Sequence, residues 1–267
     1  MARALVTGGT GVLGRVVVAR LAERGAEVRV LSRRPGPGRL HGDLVSGEGL
    51  AAAVGGVDTI VHCASNGDPR RFGDDVQATR NLLDAAAAAG RPHLVYISIV
   101  GIDRLPFGYY RAKLAAEELI ERSGLPWTIL RTTQFHDLVL QVVATLAKPP
   151  VTVLPQGFRF QPVDVRDVAD RLADLAPEPA AGRVPDLGGP QVGDLEDFLR
   201  AYLGAIGRRR RAVRVPLPGR LAAGFRAGAN LVRDGDRGTR PFADFLAERV
   251  RPDGTVDLSY GRRSRPR

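Results

Sequence analysis

The chain has 267 residues, of which 44% are apolar and 25% are charged, so it is long enough to bury a globular core. Its single cysteine excludes a disulfide framework. The net charge of +10 comes from residues 207–267, which contain 16 arginines and 6 acidic residues, and does not characterise the rest of the chain. We predict a cytoplasmic protein, because no secretion signal precedes the first strand-like run and no apolar stretch could span a bilayer.

Short apolar runs alternate with helical patterns over residues 1–130. Strands are predicted at 4–6, 28–31, 58–64, 93–98 and 127–130, and helices at 12–24, 75–89 and 110–123. Strands that alternate with helices of this length indicate βαβ units and a parallel sheet. The strands are nearly continuous apolar runs, as expected where helices cover both faces of a sheet. The predicted fold class is α/β, with a Rossmann-type doubly wound parallel sheet.

The pattern changes after residue 132. Helices are predicted at 137–147, 167–175 and 195–206, an extended segment at 158–164 and a short strand at 212–215. We predict a single domain over residues 1–250. Its small C-terminal substrate lobe is built from residues 134–160 and 185–245. The basic residues 251–267 are predicted to form a disordered tail.

A glycine-rich segment joins the first predicted strand to the first predicted helix. Gly8 allows a sharp turn, Gly11 lets the backbone approach a pyrophosphate, and Gly14 lets the helix lie close to the sheet. The alternative is a glycine-rich turn without a ligand, but a strand before the loop and a helix after it favour nucleotide binding. The remaining residues predicted to face the phosphates are Thr10, Val12 and Leu13.

The end of the second predicted strand indicates which nucleotide is bound. An NAD site usually has an acidic residue here to accept from the ribose 2′-hydroxyl, but this chain has Ser32, Arg33 and Arg34. A guanidinium makes forked contacts with phosphate, so these residues favour NADP(H) over the alternative of solvated arginines. Asp43 and Leu44 are predicted to contact the adenine, unless Asp43 only stabilises a turn.

Tyr109 and Lys113 are four residues apart in a predicted helix and therefore share one face. Ser98 ends the strand before that helix. An ammonium beside a phenol lowers the phenol pKa, so such a tyrosine can exchange a proton with a carbonyl or alcohol near neutral pH. The alternative is a surface tyrosine next to a solvated lysine.

These segments together resemble the short-chain dehydrogenase/reductase superfamily. The resemblance rests on residues 7–14, on Ser98 and on residues 109–113, and residues 110–135 are similar to its atypical, NmrA-like branch. The resemblance implies a Rossmann sheet, a bound NAD(P) and a small substrate lobe. Many members of the atypical branch lack a working tyrosine, and some bind the cofactor only as a redox signal.

The same resemblance implies a role for each residue of the predicted site. Tyr109 would be the acid/base, Lys113 would bind the nicotinamide ribose and Ser98 would orient the substrate. Ala64 and Ser65 would border the cofactor.

Several other residues are weaker candidates. Phe135 and His136 follow the sixth predicted strand, where they can contact the substrate, although His136 can equally be a buried structural histidine. Cys63 is predicted to be a small core residue. The histidines have no metal-ligand spacing, so no metal site is predicted. The run of arginines at 208–211 has no nucleic-acid-binding motif beside it, which favours a solvated loop over a nucleic-acid partner.

The leading hypothesis is an NADP(H)-dependent oxidoreductase that transfers hydride to or from a small carbonyl or alcohol substrate. Two alternatives remain open. One is a non-catalytic NADP(H)-sensing regulatory protein, and the other is an epimerase or dehydratase that retains its cofactor. No motif in the predicted lobe identifies the substrate.

Overall fold

The computed structural model describes residues 2–66, 71–251 and 253–259. Its strands are β1 (Arg3–Thr7), β2 (Glu27–Ser32), β3 (Arg39–His41), β4 (Thr59–His62), β5 (His93–Ile99), β6 (Trp127–Thr132), β7 (Val151–Pro155), β8 (Arg159–Phe160), β9 (Gly182–Arg183), β10 (Asp186–Gly188), β11 (Gly193–Asp194), β12 (Arg211–Val215) and β13 (Gly235–Arg237). Its helices are α1 (Val12–Glu23), α2 (Leu50–Val54), α3 (Phe72–Ala88), α4 (Gly108–Arg122), α5 (His136–Leu146), α6 (Val165–Leu175), α7 (Leu195–Ala205), α8 (Arg220–Arg226) and α9 (Phe242–Ala247).

A parallel sheet forms the centre of the molecule, in the order β13-β10-β6-β5-β4-β1-β2-β3, and β9 also pairs with β6. The six strands β3-β2-β1-β4-β5-β6 form a doubly wound arrangement whose order reverses beside β1. This confirms the predicted α/β, Rossmann-type fold class. The carboxyl ends of these strands, where ligands bind in such sheets, lie at one edge.

Each face of the sheet carries its own apolar core. Successive side chains in a strand point to opposite faces, so Leu5 of β1 joins the core beneath α2, α3 and α4 whereas Val6 joins the core beneath α1 and α6. Both side chains are fully buried. Burial on both faces explains why these strands are continuous apolar runs in the sequence.

The second half of the chain contributes to the sheet as well as to a separate lobe. The short strands β9, β10 and β13 extend the main sheet beyond β6. A third apolar cluster lies between α5, α7 and α9, close to the two-stranded pairs β7–β12 and β8–β11. Two strands within the predicted lobe segment 185–245 therefore belong to the main sheet, and the rest of that segment packs with 134–160.

One sequence expectation is corrected by the packing at the C-terminus. Of the tail predicted to be disordered, residues 253–259 have defined structure, because Val256 pairs with Val250 and packs against the third apolar cluster. The Asp257 amide also donates to the Arg249 carbonyl. Residue 252 and residues 260–267 lie outside the described residues.

The predicted long elements agree with the structure to within a few residues, whereas α2, α8 and α9 were not predicted. These three helices have seven residues or fewer, and so short a segment does not complete two helical periods in the sequence. Within the described parts of the chain, no helix has both the length and the apolar character needed to cross a membrane.

Candidate functional site

Two cavities open at the carboxyl edge of the sheet and meet at the glycine loop. The first cavity has a volume of about 650 Å³ and extends from the loop toward the ends of β2 and β3. The second cavity, of about 680 Å³, extends from the loop toward the ends of β5 and β6. Both are lined by Gly8, Gly11, Cys63 and Ser65. An extended two-part ligand therefore fits along this edge, with its centre at the loop.

The glycine loop has the shape that the sequence predicts. Gly8 has a φ of +68°, and a Cβ there would lie 2.6 Å from the Ala64 backbone nitrogen. The Gly11 amide donates to the Gly8 carbonyl across a 2.8 Å bond. Helix α1 begins at Val12 without a side-chain cap, so the positive end of its dipole faces the cavities. This arrangement fits a pyrophosphate. Thr10 lines the first cavity, and Leu13 lines the second.

The absence of a side chain at Gly14 lets helix α1 lie against the backbone of the glycine loop. A Cβ at Gly14 would collide with the Gly8 carbonyl oxygen and lie 2.7 Å from the Gly8 carbonyl carbon. Overpacking against backbone costs about 1–3 kcal/mol. Because the Gly8 carbonyl must shift to relieve the clash, Gly14→Ala should displace the loop and weaken binding of a nicotinamide cofactor about tenfold or more. The change is measured by fluorescence titration of NADPH.

Gly204→Ala is the matched control for this substitution. Gly204 also lies in a helix, but a Cβ there meets no atom within 4 Å. It should leave NADPH affinity unchanged. If Gly14→Ala bound NADPH as tightly as Gly204→Ala, the glycine loop would not be the binding site.

Arginine side chains surround the outer end of the first cavity. Arg33, Arg34 and Arg39 all line it. Within the described residues, their guanidinium groups form no hydrogen bond or ion pair with another side chain. The Ser32 hydroxyl accepts from the Arg34 amide at 3.1 Å and donates to the Arg34 carbonyl at 2.9 Å, which fixes the turn. Sequence reasoning missed Arg39, because it reaches the cavity only through the pairing of β3 with β2.

The residues predicted to contact the adenine also line the first cavity. Asp43 and Leu44 line it. One Asp43 carboxylate oxygen accepts from the Val45 amide at 2.8 Å, so this residue does stabilise a turn, as the alternative expected. The Asn81 side chain donates to the Leu44 and Val45 carbonyls at 2.9 and 2.8 Å, which anchors the turn to α3.

Ser98, Tyr109 and Lys113 meet in the second cavity, as predicted. Ser98 lies near the end of β5 and is only 1% exposed. Its hydroxyl has no hydrogen-bond partner within the described residues. A buried hydroxyl without a partner is costly, and a ligand oxygen placed in the cavity would satisfy it.

Lys113 is buried beneath the second cavity. Its Nζ donates to the Ile97 carbonyl at 2.9 Å and lies 4.2 Å from the ring centroid of Tyr96. Burial lowers the pKa of Lys113 to about 8, and the nearby carboxylates of Asp75 and Glu117 oppose that shift. The ammonium therefore provides a fixed positive charge that is anchored to β5.

Tyr109 takes part in a hydrogen-bonded chain that sequence reasoning did not find. Its hydroxyl lies 2.7 Å from the Ser65 hydroxyl. Ser65 in turn donates to the Asp75 carboxylate at 2.7 Å, and the Asn66 amide donates to the other Asp75 oxygen at 2.7 Å. Burial raises the pKa of Asp75. Because Ser65 uses its proton toward Asp75, it can only accept from the phenol of Tyr109.

The structure separates the two substrate candidates that follow β6. Phe135 lines the second cavity. His136 does not: it is fully buried, its Nε2 lies 3.0 Å from the Arg240 carbonyl oxygen, and its ring packs against Phe242 and Phe245. The expectation that His136 contacts the substrate is corrected in favour of a structural histidine, because the first turn of α5 directs it into the third apolar cluster.

Cys63 packs against the apolar core beneath α1 and α6, as predicted, and it also lines both cavities. It follows the end of β4 and is half-buried. Burial raises the pKa of its thiol to about 12, so the side chain is a neutral thiol. Ala64 lines the first cavity and Ser65 lines both.

Comparisons of sequence agree with this geometry. A family model described as NAD(P)H-binding matches residues 8–179. A (4-alkanoyl-5-oxo-2,5-dihydrofuran-3-yl)methyl phosphate reductase from Streptomyces griseus is 29% identical over 91% of this chain and 96% of the relative. A 3-beta-hydroxysteroid dehydrogenase from Mycolicibacterium neoaurum is 33% identical over 55% of this chain, and the match spans only 42% of that relative.

Solved structures show the same architecture. A short-chain dehydrogenase/reductase superfamily protein from Agrobacterium tumefaciens, solved with bound NAD, is 25% identical with a TM-score of 0.69 over 92% of this chain and 95% of that one. The NADPH-dependent quinone oxidoreductase QOR2 from Escherichia coli, solved with NADPH, has a TM-score of 0.77 over 92% of this chain and 99% of that one. Its 20% identity supports the likeness of fold alone.

Proposed function

The chain belongs to the NAD(P)H-binding family within the atypical short-chain dehydrogenase/reductase superfamily, and from this premise we propose that it is an NADP(H)-dependent oxidoreductase. It transfers hydride to or from a small carbonyl or alcohol substrate, with Tyr109 as the acid/base. The observation that carries the proposal is that Tyr109, Ser98 and Lys113 line one cavity, which opens onto the glycine loop. The relatives named as reductase and dehydrogenase support an oxidoreductase.

The hydroxyl groups of Ser98 and Tyr109 have different roles at the substrate oxygen. A bound nicotinamide supplies or accepts the hydride at the substrate carbon. The Ser98 hydroxyl, which has no hydrogen-bond partner among the described residues, donates to the substrate oxygen and orients it. Tyr109 gives its phenol proton to that oxygen during carbonyl reduction and removes the proton during alcohol oxidation.

Lys113 and Ser65 support Tyr109 in this role. The ammonium of Lys113 lies on the same face of α4 and favours the phenolate that remains after proton transfer. The hydrogen bond from the phenol to Ser65 connects Tyr109 to the Asp75 carboxylate. After the phenol has given its proton to the substrate oxygen, the Ser65 hydroxyl can turn from Asp75 and donate to the phenolate.

The preference for NADP(H) is supported by the charges around the first cavity. No acidic residue ends β2, where an NAD site accepts from the ribose 2′-hydroxyl. Three arginines line this end of the cavity instead, at positions 33, 34 and 39. A 2′-phosphate placed there gains charge-assisted hydrogen bonds that the free hydroxyl of NAD cannot make.

Replacing Arg33 with alanine should therefore weaken NADPH binding and leave NADH binding nearly unchanged. A hydrogen bond to a charged group contributes about 1.5–3 kcal/mol, which corresponds to about a tenfold to hundredfold loss of affinity. Fluorescence titrations with both cofactors measure the difference. Arg122→Ala is the control. Arg122 is the last residue of α4, its side chain is exposed, and it does not line the first cavity. Equal losses for NADPH and NADH would contradict the assignment of Arg33 to the 2′-phosphate.

Turnover is tested with the full chain and saturating NADPH. A panel of carbonyl compounds is screened for loss of NADPH absorbance, and a panel of alcohols is screened with NADP⁺ for its gain. The proposal expects turnover of at least one compound class with release of the reduced or oxidised product. Tight NADPH binding without turnover of any compound would instead support the non-catalytic sensing protein.

A further inference from the structure

The second cavity has polar groups at its inner end and apolar groups at its mouth. At the inner end, the Ser98 hydroxyl and the Gln134 Oε1 are buried and have no hydrogen-bond partner within the described residues. At the mouth, the side chains of Phe107, Leu138 and Leu221 are 46%, 44% and 38% exposed. Apolar side chains that cluster where a cavity meets water are typical of a site that binds an apolar ligand.

The walls between these two ends are also apolar. Phe135, Phe160 and Phe225 line the cavity, and they come from three separate elements or their flanks. Phe160 and Phe225 pack against each other with ring centroids 5.8 Å apart. Burying a ligand's apolar surface between these rings and the rim is favourable in proportion to the area removed from water.

Lys113 is the one charged side chain that lines the second cavity within the described residues. It is 3% exposed, and its ammonium is already bonded to the Ile97 carbonyl. A phosphate or carboxylate on the substrate would therefore lose its hydration in this cavity without gaining a basic partner. A phosphate ester, which the name of the Streptomyces griseus relative specifies for that protein, would meet no free cation here.

We propose that the substrate is an uncharged, mostly apolar carbonyl compound. Its carbonyl oxygen lies at the inner end, against Ser98 and Tyr109, and its apolar chain extends to the rim of Phe107, Leu138 and Leu221. This inference rests on the proposed oxidoreductase function for the position of the carbonyl. The apolar character of the bound molecule is argued from the side chains that line the cavity and its rim.

The first test measures binding to the NADP⁺-saturated full chain by isothermal titration calorimetry. The probes are the methyl ketones 2-butanone, 2-hexanone and 2-nonanone, together with 8-oxononanoate, which equals 2-nonanone in chain length but ends in a carboxylate. The dissociation constant should fall about fourfold for each methylene that becomes fully buried. Binding of 8-oxononanoate should be at least about tenfold weaker than binding of 2-nonanone.

The second test adds a positive charge to the rim of the second cavity. Leu138→Lys should weaken 2-nonanone and strengthen 8-oxononanoate, because the new ammonium meets the terminal carboxylate. Val142→Lys is the matched control. Val142 lies one turn further along α5 and is also exposed, at 38%, but does not line the cavity. The Val142→Lys variant should bind 2-nonanone and 8-oxononanoate as tightly as the unsubstituted chain does.

The outcomes separate this inference from the proposed function. NADPH oxidation by the same ketones is followed in parallel with binding. The predicted order of affinities would uphold the apolar cavity even without turnover, and the reductase would then be overturned if the full panel of carbonyl compounds and alcohols also gave none. Turnover or binding that is independent of chain length, equal binding of 8-oxononanoate and 2-nonanone, or no binding of 2-nonanone would overturn the inference.

Discussion

Tyr109→Phe is expected to reduce turnover by about 10²–10⁴, the usual contribution of a positioned acid or base. The substitution removes one oxygen and keeps the ring, which packs against Phe72 with centroids 5.3 Å apart. Folding and NADPH affinity should therefore change little, because the loss of one hydrogen bond to Ser65 costs about 1 kcal/mol. The measurement is kcat for carbonyl reduction at saturating NADPH, together with an NADPH titration of the same preparation.

Two other tyrosines test whether this effect is specific. Tyr110 lines the same cavity, but its hydroxyl meets the Gln134 side chain at 3.5 Å, so Tyr110→Phe should lose less than about tenfold in kcat. Tyr202 packs in the third apolar cluster, away from both cavities, so Tyr202→Phe should retain full activity. If Tyr109→Phe turned over substrate at the unsubstituted rate, the acid/base assignment would be wrong.

Glu117→Gln is expected to lower the free energy of unfolding by about 3–5 kcal/mol, the usual effect of removing one partner from a buried ion pair. Glu117 is fully buried in α4. Its carboxylate accepts from Arg131 at 2.9 and 2.6 Å and lies 3.0 Å from a guanidinium nitrogen of Arg183. Glutamine keeps the shape but leaves the positive charge of Arg131, which is 12% exposed, without its main counterion. Urea unfolding of the two proteins measures the difference.

Glu121→Gln is the control for Glu117→Gln. Glu121 lies one turn further along α4 and also pairs with Arg183, at 2.7 Å, but both side chains of that pair are substantially exposed. Exposed ion pairs contribute about 0–1 kcal/mol, so this variant should unfold near the unsubstituted midpoint. If Glu117→Gln and Glu121→Gln lowered the free energy of unfolding equally, burial would not determine how much each ion pair contributes to stability.

The glycine loop and the central sheet could be predicted from the sequence because each depends on neighbouring residues. The turn at Gly8 needs a backbone conformation that glycine adopts readily, and a glycine at position 14 is needed wherever a helix begins this close to its own loop. Strands buried on both faces are continuous apolar runs in any such sheet. Ser98, Tyr109 and Lys113 could be predicted for the same reason. Ser98 lies near the end of β5, and Tyr109 and Lys113 share one face of α4, so all three lie at the carboxyl edge of the sheet.

The rest of the site was decided by contacts between segments that lie far apart in the sequence. Ser65 connects Asp75 to Tyr109, and these three residues come from the loop after β4, from α3 and from α4. The apolar rim likewise combines α5 with α8, which are about 80 residues apart. No local pattern encodes such meetings, because they depend on how separately formed helices pack onto the sheet. For the same reason the sequence left two roles open for His136, and only its packing against Phe242 and Phe245 made it a structural residue.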